Sequence, residues 1–210
     1  MLDDSAAAVH QDYRRFVGGN GVLWDRIADL QFEFIRDRGL TPHDKLIDVG
    51  CGALRGGSRF IRYLAPDRYY GIDKHIELII YGVEREIGIE VFREKMPHFA
   101  ISDCFEFEKM GTGFTFGIAQ SLFTHLAAKD ILACLMNLQS VVAPQCRFYA
   151  TFFEARAVYE NPVASHSHAM FQYTRAQLEL LGSLSGWSTN YIGDWRHPRG
   201  QMMMEFVRTA

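Results

Sequence analysis

Two hydrophobic patterns alternate along the chain. Short runs rich in β-branched and aromatic residues predict strands, and stretches with apolar residues every three or four positions predict helices. Strands alternating with helices are typical of right-handed βαβ units, which build a parallel sheet with helices on both faces. The predicted strands are Lys45–Val49, Tyr69–Asp73, His98–Ser102, Thr115–Ser121, Cys146–Phe153, Ser188–Ile192 and Met202–Val207. The predicted helices are Leu23–Arg38, Arg55–Leu64, His75–Ile87, Ala127–Val142 and Arg175–Leu184.

The end of the chain departs from this alternation. Only residues 193–201 separate the last two predicted strands, too few for a crossover helix, so these strands are expected to form an antiparallel hairpin. Thr174 with Gln177 predicts a capping box, and the long connection 154–173 is typical of a lid or binding loop. The predicted fold class is α/β: a Rossmann-like three-layer sandwich whose mostly parallel seven-stranded sheet has an antiparallel last strand.

Composition narrows the class of protein. The chain has 210 residues, of which 48% are hydrophobic and 22% charged, with a formal net charge of −3. A net charge so close to zero disfavours nucleic acid as a partner, because binding of phosphates needs an excess of Lys and Arg. No apolar stretch is long enough to predict a membrane span. The acidic start Met1–Asp4 does not resemble a secretory signal. The cysteines lack metal-site spacing and predict free thiols in the cytoplasm.

The turn after the first predicted strand carries the clearest candidate chemistry. Gly50 and Gly52 lie between an apolar strand and a helix, where glycine allows close approach of a ligand and the helix start offers free N–H groups. This arrangement holds nucleotide-like cofactors at the carboxyl edge of a parallel sheet. A dinucleotide fingerprint would need a third glycine where Arg55 stands, and Asp48 would lie beside a pyrophosphate. A nicotinamide-dependent reductase is therefore a weak alternative.

Asp48–Gly52 resembles the first motif of class I S-adenosylmethionine-dependent methyltransferases. Upstream, Arg14–Gly19 and Trp24 resemble the N-terminal arm of a little-characterised bacterial small-molecule subgroup of these enzymes. Asp73 lies 21 residues after Gly52, at the place of the acid that holds the cofactor ribose in this family. The sequence has Leu54 at the position of the usual third glycine of the motif. Further segments resemble the second strand, the adenine-flanking segment, the fourth strand with its turn, and the fifth strand: Tyr69–Asp73, Ser102–Phe105, Phe116–Leu126 and Arg147–Phe153.

The resemblance implies S-adenosylmethionine as cofactor and a set of residues that contact it. In this set Asp73 binds the ribose hydroxyls and Asp103 lies near the adenine. The implied contacts are Asp48, Gly50, Cys51, Gly52, Asp73, Lys74, Asp103, Cys104, Gln120 and Ser121. The resemblance also implies that residues 1–44, through Arg14–Gly19 and Trp24, form an arm and helix over the cofactor. Residues 45–210 would be the methyltransferase domain.

His125 is the candidate catalytic residue, because an imidazole at the mouth of the expected site could accept a hydroxyl proton. The alternative is a histidine that only hydrogen-bonds the backbone of this turn. No metal site is predicted, since His166 and His168 lack an identifiable carboxylate partner. The predicted substrate contacts are Trp24, Glu154, His166, Asp194 and His197. The alternative for Asp194 and His197 is that they only close the turn of the terminal hairpin.

The expected function is methyl transfer from S-adenosylmethionine to a small molecule, through a hydroxyl of a sugar or natural product. Gln120–Phe123 stands where nucleic-acid methyltransferases carry an Asn/Asp-Pro-Pro-Tyr/Phe motif. No acid pair follows the fourth strand, which disfavours metal-dependent catechol-type chemistry. A non-catalytic module that binds S-adenosylmethionine stays open as an alternative, and so does a homodimer. Specificity is expected in the arm, in the loop 154–173 and in the hairpin turn.

Overall fold

The computed structural model describes residues 13–16 and 21–209, and the chain separates into two compact units. Unit 1 comprises Met1–Asp44, as far as it is described, and Gly50–Asp103; unit 2 comprises Lys45–Val49 and Cys104–Ala210, described to residue 209. The described residues up to Asp44 group with Gly50–Asp103, which includes the glycine turn, whereas the sequence predicts a domain boundary between residues 44 and 45. The predicted arm segment at positions 17–19 lies outside the described residues.

The described residues form helices and strands in the alternating order that the hydrophobic pattern predicts. The helices are α1 Tyr13–Phe16, α2 Gly21–Arg36, α3 Gly57–Tyr63, α4 Ile76–Tyr81, α5 Ile89–Lys95, α6 Ala128–Gln139 and α7 Arg175–Leu184, with a π-helix at Gly82–Ile87 and a 3-10 turn at Phe107–Met110. The strands are β1 Leu46–Val49, β2 Tyr69–Asp73, β3 His98–Ile101, β4 Phe114–Ala119, β5 Val142–Glu154, β6 Gln172–Tyr173, β7 Trp187–Asp194 and β8 Met202–Arg208.

Unit 1 holds strands β2 and β3, which pair in parallel, and the helices that cover them. Helix α2 buries one apolar stripe, including Trp24, Ile27 and Ile35, at the spacing that brings residues onto one face. Its polar side is tied to α3, because the Arg59 guanidinium contacts the carboxylates of both Asp25 (3.0 Å) and Asp29 (2.8 Å). The amphipathic pattern and these ion pairs fix α2 within this unit.

Unit 2 holds a continuous run of strands in the order β1-β4-β5-β8-β7. The pairs β1–β4 and β4–β5 are parallel, while β5–β8 and β7–β8 are antiparallel, so the predicted terminal hairpin is confirmed. Buried Glu205 on β8 accepts hydrogen bonds from Arg147 (2.6 Å), Tyr149 (2.8 Å) and Asn190 (3.0 Å), which join three adjacent strands. The capping box of Thr174 and Gln177 at the start of α7 is also confirmed.

Parallel strands followed by an antiparallel hairpin confirm the α/β, Rossmann-like fold class. The differences are local. The predicted helix His75–Ile87 ends at Tyr81 and continues as a π-helix, and α5 was not predicted. The predicted helix Ala127–Val142 is shorter because Val142 already pairs with Phe114 in the sheet. No helix within 13–16 or 21–209 combines the length and apolarity needed to cross a membrane.

Candidate active site

The glycine turn of unit 1 is built by the backbone. Gly50 and Gly52 have φ of 74° and 52°, in the left-handed region that favours glycine. The N–H groups of Gly50 and Cys51 both donate to the carbonyl of Ile72, at 2.8 and 3.1 Å. These bonds attach the turn to the last residues of β2. The glycines at positions 50 and 52 are therefore required by the shape of the turn.

Asp73, the last residue of β2, is oriented by this turn. Its Oδ2 accepts the N–H of Gly52 and its Oδ1 accepts the N–H of His75, both at 2.9 Å. Burial raises the pKa of the Asp73 carboxyl above its ordinary value, and the two backbone donors oppose that rise. The carboxylate is thus fixed in place by the chain itself.

The middle of β2 approaches the turn closely at Gly71. A Cβ placed on this glycine would lie 2.9 Å from Cys51 Sγ and 3.0 Å from the Phe99 ring. Cys51, a predicted cofactor contact, is buried, while Lys74 and Asp103 are exposed after β2 and β3. Unit 1 therefore brings the predicted residues Gly50, Cys51, Gly52 and Asp73 together at one end of β2.

Trp24, a predicted substrate contact, is fully buried in unit 1. Its ring packs edge-on against Tyr13 at 6.1 Å between centroids, and the Arg14 guanidinium lies 5.1 Å from it. Arg14 in turn forms a two-point ion pair with Glu86, at 2.8 and 3.0 Å. Trp24 is therefore a packing residue that helps hold α1, and its contact with substrate stays a prediction.

In unit 2 a network of uncharged polar side chains gathers where β4 and β5 end and where β7 turns into β8. The amide Nε2 of Gln120 lies 2.9 Å from Ser121 Oγ, 3.1 Å from Gln201 Oε1 and 3.1 Å from His197 Nε2. Gln201 Nε2 also donates to Ser121 Oγ at 2.9 Å. The backbone N–H of Ser121 donates to Thr151 Oγ1 at 2.7 Å. We call Gln120, Ser121, Thr151, His197 and Gln201 the polar network.

Two features distinguish the polar network from an ordinary protein core, in which the backbone is unstrained and buried polar groups are hydrogen-bonded. Ser121 has a φ of 59°, an uncommon conformation for a residue with a Cβ. The Oε1 atom of Gln120, a side chain that is only 8% exposed, is buried without a hydrogen-bond partner among the described residues. Strained residues and unsatisfied buried polar groups both concentrate at functional sites.

The sequence prediction included Gln120, Ser121 and His197 but missed Gln201 and Thr151. His197 is 5% exposed, stacks on Trp195 at 5.3 Å, and accepts the N–H of Arg199 at its Nδ1, at 3.3 Å. A signal was available at Gln201, since it is a polar residue directly before an apolar strand. Nothing in the local pattern indicated that its side chain reaches Ser121.

His125, the predicted base, lies in the turn after β4 and is half-buried. Its Nδ1 is 2.8 Å from the carbonyl oxygen of Ala169. A carbonyl can only accept, so Nδ1 carries the proton of the neutral ring and Nε2 is the basic nitrogen. The backbone contact that was the alternative interpretation is therefore present, and it selects the tautomer that a general base needs.

The remaining predicted residues of unit 2 are spread over its surface and its strands. Asp48 is buried in β1, and Cys104 is exposed. His166 is exposed and accepts the N–H of His168 at 3.1 Å, and Asp194 closes its turn by accepting the N–H of Arg196 at 2.8 Å. These two roles are local.

Glu154 lies on a cavity of about 830 Å³ in unit 2. Its carboxylate accepts the hydroxyl of Tyr191 at 2.6 Å, and burial together with this bond raises the pKa of Tyr191 to about 12. Arg156, Arg175 and Glu179 also line this cavity, so its walls are charged. None of the five members of the polar network lies in its lining. Among the residues that the structure describes, no group of three His, Cys, Asp or Glu side chains could hold a metal ion.

Comparisons with known proteins identify the class of fold. The structure matches magnesium protoporphyrin IX methyltransferase from Synechocystis PCC 6803, solved with bound SAM, over 100% of this chain and 99% of that one, with a TM-score of 0.69 and 17% identity. It also matches CalS10, an amino pentose methyltransferase from Micromonospora echinaspora solved with SAM, over 100% and 98% of the two chains, with a TM-score of 0.65 and 14% identity. The chain has the fold of class I methyltransferases.

A more specific relationship covers only part of the chain. Phosphoethanolamine N-methyltransferase 1 from Zea mays is 33% identical over 86 residues, which are 41% of this chain and 16% of that enzyme. The chain spans between 16% and 29% of the length of the curated relatives it matches. No protein-family model matches the chain.

Proposed function

We propose that this protein is an S-adenosylmethionine-dependent methyltransferase that acts on a small molecule. The observation that carries the proposal is Asp73, which is held by the N–H groups of Gly52 and His75 beside a left-handed glycine turn. A fixed carboxylate at the end of the second strand suits the two hydroxyls of a ribose. The structural neighbours solved with SAM share the fold that presents this turn.

The residues present fit that cofactor. The turn at Gly50 and Gly52 has no side chain to obstruct a ligand, and the Asp73 carboxylate is available to accept hydroxyl donors. S-adenosylmethionine supplies a methyl group on a positively charged sulfur. The protein's part is to align the acceptor and exclude water, and alignment alone can be worth about 7–11 kcal/mol.

The acceptor atom in this proposal is a hydroxyl oxygen of a sugar or natural product. A hydroxyl needs help to lose its proton, and His125 has the tautomer for it because Nδ1 is engaged by the Ala169 carbonyl. His125 accepts at Nε2 the proton that the hydroxyl loses. N-methylation of phosphoethanolamine is the second candidate, favoured by the partial match to the plant enzymes.

Thermal unfolding in the presence of S-adenosylmethionine, S-adenosylhomocysteine, NAD and NADP tests the cofactor. A ligand that binds the folded state raises the midpoint, so the first two should raise it and the nicotinamide cofactors should not. Stabilisation by NAD alone would contradict the proposal and favour a reductase.

Transfer of a labelled methyl group then tests the reaction. Neutral hydroxylated compounds and phosphoethanolamine are compared at equal concentration, and label is expected in the hydroxylated set. Label in phosphoethanolamine alone would favour the second candidate. Binding of S-adenosylhomocysteine with no transfer to any compound would instead indicate a non-catalytic binding module.

A further inference from the structure

The cavity in unit 2 lies at the carboxyl end of β5. Its walls include Phe153 and Glu154, the last two residues of that strand. Gln172 on β6 also lines it and pairs with Phe153. Met202, the first residue of β8, completes the other side and pairs with Phe152. Ligands of open α/β sheets bind outside the carboxyl ends of the strands, and a volume of about 830 Å³ suits a small organic molecule.

The cavity adjoins the turn that carries the proposed base. Met170 lines the cavity and directly follows Ala169, whose carbonyl oxygen lies 2.8 Å from His125 Nδ1. Phe171, the next residue, donates its N–H to the Thr124 carbonyl at 2.9 Å. A ligand that fills the cavity therefore lies against the segment that orients His125. This adjacency favours the methyl acceptor as the occupant.

The charged side chains on the cavity walls are not all engaged with one another. Arg175 forms an ion pair with Glu179 at 2.7 Å, and its guanidinium lies 4.8 Å from the Tyr191 ring. Glu154 accepts the Tyr191 hydroxyl at 2.6 Å. Arg156 forms no ion pair or hydrogen bond with any residue that the structure describes. The cavity therefore offers a ligand a guanidinium that holds no other group.

We propose that Arg156 binds a carboxylate of the methyl acceptor in this cavity, so that the substrate is a hydroxylated organic acid. The inference rests on the proposed function and narrows its substrate class. A guanidinium donates two parallel hydrogen bonds to a carboxylate, which adds orientation to affinity. Phe153, Met170 and Met202 line the same cavity and suit the ring or chain that carries the hydroxyl. Neutral hydroxylated compounds bind these walls more weakly, because they lack the group that Arg156 recognises.

A carboxylate suits these walls better than a phosphate. The Arg156 guanidinium compensates one negative charge, whereas a phosphate monoester carries about −1.5 to −2 at pH 7. The carboxylates of Glu154 and Glu179 belong to the same walls and repel the second charge. Phosphoethanolamine, which joins a phosphate to an ammonium group, is therefore an informative ligand for comparison.

The test titrates the 15N-labelled full chain, in complex with S-adenosylhomocysteine, and follows the backbone amide signals of Arg156 and Met170 by NMR. Two matched pairs compare an acid with a neutral alcohol: 4-hydroxybenzoate with 4-hydroxybenzyl alcohol, and methyl β-D-glucuronide with methyl β-D-glucopyranoside. In at least one pair the acid should shift both signals and bind about tenfold more tightly, the order expected for hydrogen bonds to a charged group. Phosphoethanolamine and 4-hydroxyphenyl phosphate should bind more weakly than that acid.

Three results of these titrations would overturn the inference. The first is that neither acid shifts the signals of Arg156 and Met170. The second is that each alcohol binds as tightly as its acid. The third is that either phosphate compound binds as tightly as the better acid or more tightly, which would assign the cavity to a different anion.

Variants separate recognition of the carboxylate from folding. Arg156→Gln should give the acid and its alcohol equal affinity, with the unfolding midpoint unchanged because Arg156 is exposed. Arg156→Lys keeps the charge without the two-point geometry and should retain part of the preference. Arg93→Gln, at an exposed arginine of α5 in unit 1, is the matched control and should bind the acid as the wild type does. A preference for the acid that survives in Arg156→Gln would assign the carboxylate to another residue.

Methyl transfer then shows whether the bound acid is the acceptor. The hydroxyl oxygen of the acid takes the methyl group from the sulfur, its proton passes to His125 Nε2, and S-adenosylhomocysteine is released. Arg156→Gln should raise KM for the acid by about tenfold and keep kcat, the pattern of a lost binding contact. Acids that bind but take no label would overturn the inference. Failure of the proposed function looks different, because S-adenosylhomocysteine would then not raise the unfolding midpoint before any acid is added.

Discussion

The glycine turn and the polar network differ in how far apart along the chain their partners lie. Gly52 and Asp73 are 21 residues apart and belong to one strand-helix-strand unit. Gln120 lies 77 residues from His197 and 81 from Gln201. The first region uses backbone N–H donors and a carboxylate, whereas the second is built mainly from side-chain amides, hydroxyls and an imidazole. The glycine turn is thus encoded locally, whereas the polar network is assembled only when the terminal hairpin joins the sheet.

The largest expected effect is on the rate of methyl transfer, at His125 of unit 2, which is proposed to act on the reaction and not on cofactor binding. His125→Gln removes the basic Nε2, and loss of a general base typically lowers the rate by about 100-fold or more. We expect kcat to fall by about that factor while S-adenosylhomocysteine affinity is kept. The measurement is kcat against pH, in which the variant should lose the limb that reports imidazole ionisation.

His43→Gln is the control for this substitution, because His43 is an exposed histidine that belongs to none of the predicted sites. It should retain the wild-type rate and profile. A pH–rate profile of the His125 variant that is identical to wild type would remove His125 as the base.

The next largest effect is expected on cofactor affinity and concerns the glycine turn of unit 1. Asp73→Ala removes the carboxylate that is proposed to accept two ribose hydroxyls, each such bond to a charged group being worth about 1.5–3 kcal/mol. S-adenosylhomocysteine should bind about 100-fold more weakly by calorimetry. Asp37→Ala, at an exposed acid paired with Arg36, is the matched control. Unchanged affinity in the Asp73 variant would refute the ribose assignment.

A smaller effect tests how tightly the turn is built against β2. Gly71→Ala places a Cβ 2.9 Å from Cys51 Sγ and 3.0 Å from Phe99, and overpacking of this kind costs about 1–3 kcal/mol in the free energy of unfolding. Denaturant unfolding should show this loss, and the double variant with Cys51→Ala should recover part of it. Equal stability of the single and double variants would show that Cys51 is not the obstacle.

The smallest effect is the pH dependence of cofactor binding. The pKa of Asp73 is raised by burial, so this carboxyl takes up a proton at a higher pH than an ordinary aspartate. Above its pKa it accepts hydroxyl donors, and as the pH falls through the pKa the affinity for S-adenosylhomocysteine should decrease. Asp73→Asn should bind more weakly but without this decrease. A parallel pH profile in both proteins would mean that another group titrates.

The local features of the fold could be predicted from the sequence. The glycine turn, the acid that ends β2 and the capping box of Thr174 and Gln177 each depend on residues whose spacing is set by one turn or one βαβ unit. The boundary at Tyr81 could not be predicted, because the chain stays helical through Ile87 and only the hydrogen-bonding pattern changes, from the α-helix that ends at Tyr81 to the π-helix Gly82–Ile87.

The polar network marks where sequence reasoning ends. Gln201 meets Ser121 only because β8 inserts next to β5 in an antiparallel register, with Met202 opposite Phe152. A one-residue change of register would turn every β8 side chain to the other face. The sequence also could not show whether Trp24 packs in the core or contacts a substrate, because an aromatic residue on an apolar helix face suits both roles.

The connection between β5 and β6, predicted from its length to be a lid or binding loop, is hydrogen-bonded to the turn that carries His125. The N–H groups of His166 and Phe171 donate to the carbonyls of His125 and Thr124, at 3.1 and 2.9 Å, and the Tyr173 hydroxyl donates to Leu126 at 2.6 Å. Amide protons held this way exchange with solvent only when the whole contact opens. Hydrogen exchange at His166 and Phe171 should therefore be slow and should keep pace with the turn that carries His125. The loop and the proposed base would then open as one cooperative element.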